Sequence, residues 1–367
     1  MKNRRYEKLL STMMKNRLEV LTLTPGPSLF YFTGLQFHVL ERPIVLLIAP
    51  PHPPTMILPQ LEILKAGLST LELDPVTYGD NPSTWQQAFD QTINSLGLSD
   101  SRIGIEPTRL RYLELNFLQK AAPGANFVAA EDILSELRLY KEPEELDAMR
   151  EAVRIAQDSL VATIPFMKIG RSEKEIANQL TIQLLQHGSE GYPTAPIVSS
   201  GPNSANPHAT PSKRKLRAGD LIVIDWGATH KGYFSDLTRV FAVGEVDVEF
   251  EKIARIVKDA NQAASRVVKP GVEIGKIDAA ARQVIEAAGY GERFTHRTGH
   301  GLGLEVHEGP YVFHENEQIA ATGMCFTIEP GIYLPGRGGV RIEDNVSISS
   351  EGVEIFSDMP RELIHLS

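Results

Sequence analysis

A chain of 367 residues, 42% hydrophobic and 23% charged, has the composition of a soluble globular protein and the length of two folding units rather than one. Its formal net charge of -9 excludes a sequence-independent nucleic-acid binder, which needs a cationic face to displace counterions from phosphates. The single cysteine, Cys325, can form no intrachain disulfide and reads as a small core residue in a reducing compartment.

In chain order, residues 1–16 are basic but lack the continuous apolar segment of a secretory signal, and Leu9, Leu10, Met13 and Met14 recur at helical spacing. No window is long enough to cross a bilayer, so the expectation is a cytoplasmic protein without membrane contact. Strand-like segments follow at 18–23, 28–34 and 43–49, separated by Pro and Gly signals. Pro50, Pro51, Pro53 and Pro54 demand a loop, because consecutive prolines cannot donate to a sheet ladder. Helical patterns at 60–66, 83–96 and 108–121, with a strand at 102–106, complete an α/β domain spanning 1–138. It holds no dense cluster of His, Asp, Glu or Cys, which points to oligomer contacts and to shaping the mouth of a site elsewhere rather than to chemistry of its own.

A second domain, 139–367, opens with a long helix near Lys141, where Pro143 occupies the first turn and Glu144 and Glu145 favour the positive end of the dipole. An internal repeat then organises it. Lys168-Ile169-Gly170, followed by a helix ending at Gly188, matches Lys269-Pro270-Gly271, followed by a helix ending at Gly289. The preceding helices correspond as well, Leu146, Met149, Val153 and Ala156 with Phe250, Ile253, Val257 and Ala260. Farther on, 217–227 lines up with 321–331 and 232–236 with 339–343, so Asp225 falls on Glu329 and Asp236 on Glu343.

The stretch 221–236, LIVIDWGATHKGYFSD, carries the chemistry. Four apolar residues make a buried strand that ends in Asp225, and Gly227 with Lys231-Gly232 turns the chain back to deliver Asp236. Taken alone, two strand-end acids could simply face water. Doubled by the repeat, four acids converge, and four negative charges need cations between them. Two divalent ions at the ~3.5–4 Å spacing of paired-metal sites would share bridging carboxylates and a hydroxide with its pKa lowered toward ~7. His296, His300 and His307 lie in a glycine-rich stretch of the same half, and imidazole suits Mn, Co, Fe or Zn alike.

PHA at 207–209, IDWGATHKGYFSDLTR, HRTGHGLGLEVHE, TIEPGIY and GVRIEDNV resemble successive signatures of the aminopeptidase P and prolidase family, and LTPGPSLFYFTGLQF resembles its amino-terminal domain. The resemblance covers essentially the whole chain. It implies an α/β (α+β) protein, with a creatinase-like amino-terminal domain before a duplicated pita-bread metallopeptidase domain built on a curved antiparallel sheet. By motif, Asp225, Asp236, His300, Glu329 and Glu343 would be the metal ligands, with Asp236 and Glu343 bridging, and the cofactor two divalent ions, manganese first. Glu329 would also orient or deprotonate the attacking water. His208 and His307 would flank the scissile carbonyl, His296 would line the pocket, and Arg341 would orient the acids or a substrate carboxylate. The implied reaction is metal-dependent hydrolysis of the bond between an amino-terminal residue and proline, in dipeptides or longer peptides, by a homodimer. Two other readings share the fold: a non-catalytic peptide-binding module, and a metal-free creatinase-like hydrolase. Both would be expected to lose ligands that this chain retains.

Overall fold

The computed structural model describes residues 2–190 and 195–366; Met1, where the amino-terminal helix pattern begins, lies outside them. Two compact units, Met1–Arg138 and Leu139–Ser367, make up the chain.

The first unit is a mixed sheet of β1 (Val20–Leu23), β2 (Val45–Ile48), β3 (Thr55–Pro59), β4 (Asp74–Tyr78), β5 (Arg102–Ile105) and β6 (Asn126–Ala129), in the order β4-β3-β2-β1-β5-β6. Alternation along the strands sends Val45, Leu47, Val20 and Ile103 into one core with Trp85, Phe89 and Ile93 of helix Trp85–Leu96 and Leu118 of helix Tyr112–Ala121. The amino-terminal helix Lys2–Lys15 buries Leu9 and Met13 but leaves Met14 81% exposed. One expectation is corrected: residues 28–34 are not a strand but belong to helix Pro27–Thr33 and its cap. Its aromatics favour strands locally, yet Pro27 starts a helix and Gly34, at φ 71°, ends it, while Leu29, Tyr31 and Phe32 are buried around it.

The second unit begins with helix Pro143–Thr163, whose capping box pairs Glu142 with Glu145. One four-stranded sheet contains β7 (Ile197–Ser200), β8 (Leu221–Trp226), β11 (Leu237–Val243) and β19 (Ile364–Leu366), in the order β19-β11-β8-β7; the short pair β9 (Thr229–His230) and β10 (Tyr233–Phe234) is the hairpin between β8 and β11. Lys231 and Gly232, at φ 49° and 78°, turn that hairpin. The other half holds β12 (Gly299–Gly301), β13 (Glu308–Val312), β14 (Cys325–Ile328), β17 (Asp344–Ser349) and β18 (Gly352–Ile355), with β15 (Gly331–Leu334) and β16 (Gly338–Arg341) as the matching hairpin.

Backbone detail repeats along with the sequence. Gly170 and Gly271 have φ of 88° and 87°, and Gly219 and Gly323 of 86° and 89°. Gly170 N donates to Leu216 O at 3.0 Å, and Gly271 N donates to Ala320 O at 2.8 Å. Two apolar cores result, one around Ile222, Ile224 and Phe241, and one around Phe326, Ile328 and Val346 to which Leu221, Val223 and Val240 of the first half also contribute, so that the halves share it. The acids stand where the two meet. Among the described residues no helix is long and apolar enough to cross a membrane.

Candidate metal centre

β8 is hydrogen-bonded on both sides, to β7 and β11, so its apolar run from Leu221 to Ile224 is buried and Asp225 emerges at its end. Trp226 Nε1 donates to Ala156 O at 2.8 Å and pins that end to helix Pro143–Thr163. Gly227 must be glycine, since a Cβ there would stand 1.9 Å from Ser235 O. This close approach folds the hairpin so that Asp236 arrives beside Asp225. The second half repeats the delivery: Glu329 follows β14, and Glu343 immediately precedes β17. His300 sits on β12, next to Gly299, where a Cβ would stand 1.9 Å from Thr327 O.

The halves are stitched through these acids and their neighbours. Glu343 N donates to Thr238 O at 3.1 Å, and Thr238 Oγ1 donates to Glu343 Oε2 at 2.7 Å. Asp236 N donates to Asn345 Oδ1 at 3.0 Å. Donor atoms of Asp225, Asp236 and Glu343 lie within 4.8 Å of one another, as do those of His300, Glu329 and Glu343, and those of Asp236, His300 and His307. His300 Nε2 is 3.4 Å from Glu329 Oε1 and 3.7 Å from Asp236 Oδ2.

Protonation fits a cation site. Burial, with Asp225 and Glu329 adding repulsion, pushes the Asp236 carboxyl well above its usual range. Burial does the same to Glu343, reinforced by Asp236 and Glu329. Glu329 is raised to about 8, again chiefly by burial. His300 is lowered to about 3 by burial and the neighbouring His307, so its lone pair is free at neutral pH. Acids that cannot all ionise together, facing a neutral imidazole, are a donor set that a divalent ion would complete.

Arg341 is a buried cation beside them. Its Nη2 donates to Asp225 Oδ2 at 2.5 Å, its Nη1 to Tyr333 Oη at 3.0 Å and its Nε to Thr238 Oγ1 at 3.2 Å. Tyr333 in turn donates to His296 Nε2 at 2.9 Å, and His296 Nδ1 donates to Arg297 O at 2.8 Å. Both ring nitrogens of His296 are thus engaged, and burial lowers it to about 4. His307 is exposed, its ring centroid 3.9 Å from that of His300. His208 is exposed on the loop after the 3-10 turn Gly201–Ala205, within electrostatic reach of His296 and His307.

A model of metallopeptidase family M24 matches residues 147–350, and one of the creatinase/prolidase N-terminal domain matches residues 5–140. The chain belongs to metallopeptidase family M24. An Xaa-Pro dipeptidase of Lactobacillus delbrueckii subsp. lactis is 33% identical over 97% of this chain and 97% of that protein. A dipeptidase from Pyrococcus horikoshii superposes with a TM-score of 0.93 at 38% identity, covering 99% of this chain and 100% of that one. A recombinant prolidase from Thermococcus sibiricus gives 0.94 at 35% identity, covering 100% and 99%. The creatinase-like amino-terminal domain and the duplicated pita-bread domain expected above are the architecture of this M24 metallopeptidase.

Sequence reading missed the hydroxyls that hold the M24 acids. Thr238 caps Glu343, Thr327 hydrogen-bonds Glu329 and receives His300 N at 3.1 Å, and Tyr333 links Arg341 to His296. Thr238 and Thr327 each stand two residues from an acid in extended chain, the spacing that returns side chains to one face, and that was the available signal.

The raised acids give the metal-free M24 protein a pH signature. The folded Glu329 pKa, about 8 against an ordinary 4.5, lies above its unfolded value, so its stabilising contribution is full below about 4.5 and lost as pH rises through about 8. Above about pH 7 the depressed histidines are largely neutral in both states and contribute little slope. Thermal melts of chelated protein should fall from about pH 7 to about pH 9, and saturating divalent cation should flatten that decline. A flat metal-free profile would show that the acids are not strained.

Proposed function

We propose that this M24 metallopeptidase is an Xaa-Pro peptidase using two divalent cations, manganese first, and that dipeptides are its main substrates. Glu343 carries the reading: its carboxylate belongs to two donor clusters, one with Asp225 and Asp236 and one with His300 and Glu329, as a bridging ligand must. Asp236 is likewise shared, between Asp225 and Glu343 on one side and His300 on the other. The name of the Lactobacillus relative, Xaa-Pro dipeptidase, supports the substrate class. Asp225, Asp236, His300, Glu329 and Glu343 would hold the ions. Bound ions would supply Lewis acidity toward a carbonyl and lower the pKa of water toward ~7.

The chain's own groups divide the remaining work. Glu329, steadied by Thr327, takes a proton from the attacking water and returns it to the departing proline nitrogen. His307 is lowered by burial and by Arg297, so it stands as a neutral imidazole whose N–H can donate to the oxygen where charge develops. His208, across from it, holds the substrate backbone. Arg341 fixes the Asp225 carboxylate. An Xaa-Pro bond is a tertiary amide with no N–H, and none of these groups needs one.

Chelated protein reloaded with Mn²⁺ or Co²⁺ should hydrolyse an Xaa-Pro dipeptide and spare an Xaa-Ala dipeptide and an Xaa-Pro tripeptide. Cleavage of the tripeptide as well would move the chain to aminopeptidases acting on longer peptides. No cleavage of any Xaa-Pro peptide by loaded protein would overturn the proposal.

A further inference from the structure

We infer that Glu173 is a positioning residue for His208, holding by one buried carboxylate both ends of the loop that carries it; the inference rests on the role given to His208 above. Glu173 is the first residue of helix Glu173–Gln186, where an acid normally faces water near the helix dipole, but here it is 0% exposed. Burying that charge is tolerated only if its oxygens are saturated with donors. They are. Oε1 accepts from Ser200 N at 2.7 Å, Ser200 Oγ at 2.8 Å and Asn203 Nδ2 at 3.1 Å. Oε2 accepts from Asn203 Nδ2 at 3.1 Å, Ser212 N at 3.0 Å and Ser212 Oγ at 2.6 Å.

Ser200 closes β7, Asn203 lies in the following 3-10 turn, and Ser212 comes after His208. The loop therefore leaves and returns to a single carboxylate. Its turn is also keyed to the wall of the site: Gly339 N donates to Ser204 Oγ at 2.9 Å, and a Cβ on Gly339 would stand 2.3 Å from Ser204 O. Gly339 is on β16, the strand that ends in Arg341. The other half also buries a helix acid against its histidine segment, at a different position of the helix. Asp278, 0% exposed on helix Ile274–Ala287, accepts from Thr298 N at 3.0 Å and Thr298 Oγ1 at 2.7 Å, beside the segment that carries His296. In each half a buried helix acid accepts from the amide and hydroxyl of a loop residue on the segment that carries a site histidine: Ser200 and Ser212 around His208, Thr298 two residues after His296.

The test compares Glu173→Gln, which keeps the size but presents N–H groups to N–H donors, in wild-type and His208→Ala backgrounds. Ser212→Ala, which removes one anchor without touching the helix, serves as the second variant should Glu173→Gln fold poorly. Kinetics on an Xaa-Pro dipeptide and metal content are measured for each Mn²⁺-loaded protein. Glu173→Gln should lower kcat/KM roughly 10- to 100-fold, mainly through KM, with metal content unchanged. In the His208→Ala background the further loss should be under about twofold, and Ser212→Ala should show the same pattern more weakly. Equal losses in both backgrounds, a loss of metal, or no loss at all would overturn the inference while leaving the proposed function intact. Wild-type kinetics in His208→Ala itself would instead remove the role of His208, and the inference with it.

Discussion

Asp236→Ala is expected to abolish turnover and metal loading in one step, and Glu343→Ala to do the same. Glu343 belongs both to the cluster with Asp225 and Asp236 and to the one with His300 and Glu329, and Asp236 to the first of these and to one with His300 and His307, so under the proposed assignment removing either would strip a ligand from both positions, whereas Asp225 and Glu329 each belong to one cluster. The loss should exceed the roughly 10- to 100-fold that removal of an outer partner of a metal ligand costs. Unfolding is not the expected cause. In the metal-free fold burial and the neighbouring acids already disfavour an ionised Asp236, so deleting it relieves repulsion. The metal-free Asp236→Ala protein should melt no lower than metal-free wild type at about pH 9, where more of the acids are ionised and the repulsion is larger than at neutral pH. Metal content by plasma emission, read beside hydrolysis of an Xaa-Pro dipeptide, checks the claim. Retained hydrolysis with one ion bound would reduce the site to a single working metal.

The convergence of the proposed ligands was legible in the sequence because they sit at places where backbone and burial leave little choice. Leu221 to Ile224 could only be a buried strand, so Asp225 had to emerge at its end, and the hairpin turn at Lys231-Gly232 needed the left-handed backbone that it has. The repeat was legible for the same reason: Gly170 with Gly271 and Gly219 with Gly323 hold matching positive φ, a demand that survives divergence of the side chains. What stayed hidden depends on partners far away in sequence. Thr238 meets Glu343 across 105 residues, and Tyr333 matters only because Arg341 and His296 close on it. Hydroxyls occur throughout the chain, and the two-residue spacing of Thr238 and Thr327 from an acid is the one local mark these carry. In the first unit β4 and β6 lie at the sheet's edges with mostly exposed or half-buried side chains, so they lack the alternation that reveals a strand. Residues 28–33 misled because Phe30, Tyr31 and Phe32 favour a strand locally, while the bounding Pro27 and Gly34 decide for a helix.

His307→Ala should leave the metal content at the wild-type level and cut kcat by about 100-fold or more, the usual cost of losing an oxyanion donor. The geometry makes this a sharp choice, because a donor atom of His307 also lies within 4.8 Å of Asp236 and His300 and could itself be taken for a ligand. Three observations separate the two histidines. His300 is 3% exposed, whereas His307 faces solvent. His300 Nδ1 is held against Gly301 O at 3.1 Å, which aims Nε2 at Glu329 and Asp236, as the second nitrogen of a ligating imidazole usually is held. Among the described residues no such hydrogen bond is seen for His307, whose ring packs on that of His300 with centroids 3.9 Å apart. An interaction made only as the carbonyl oxygen gains charge should fall on kcat and leave KM nearly unchanged. A fall in metal occupancy would exchange the roles: His307 would become a ligand, and the donor to the oxyanion would have to be sought in His208 or Arg297.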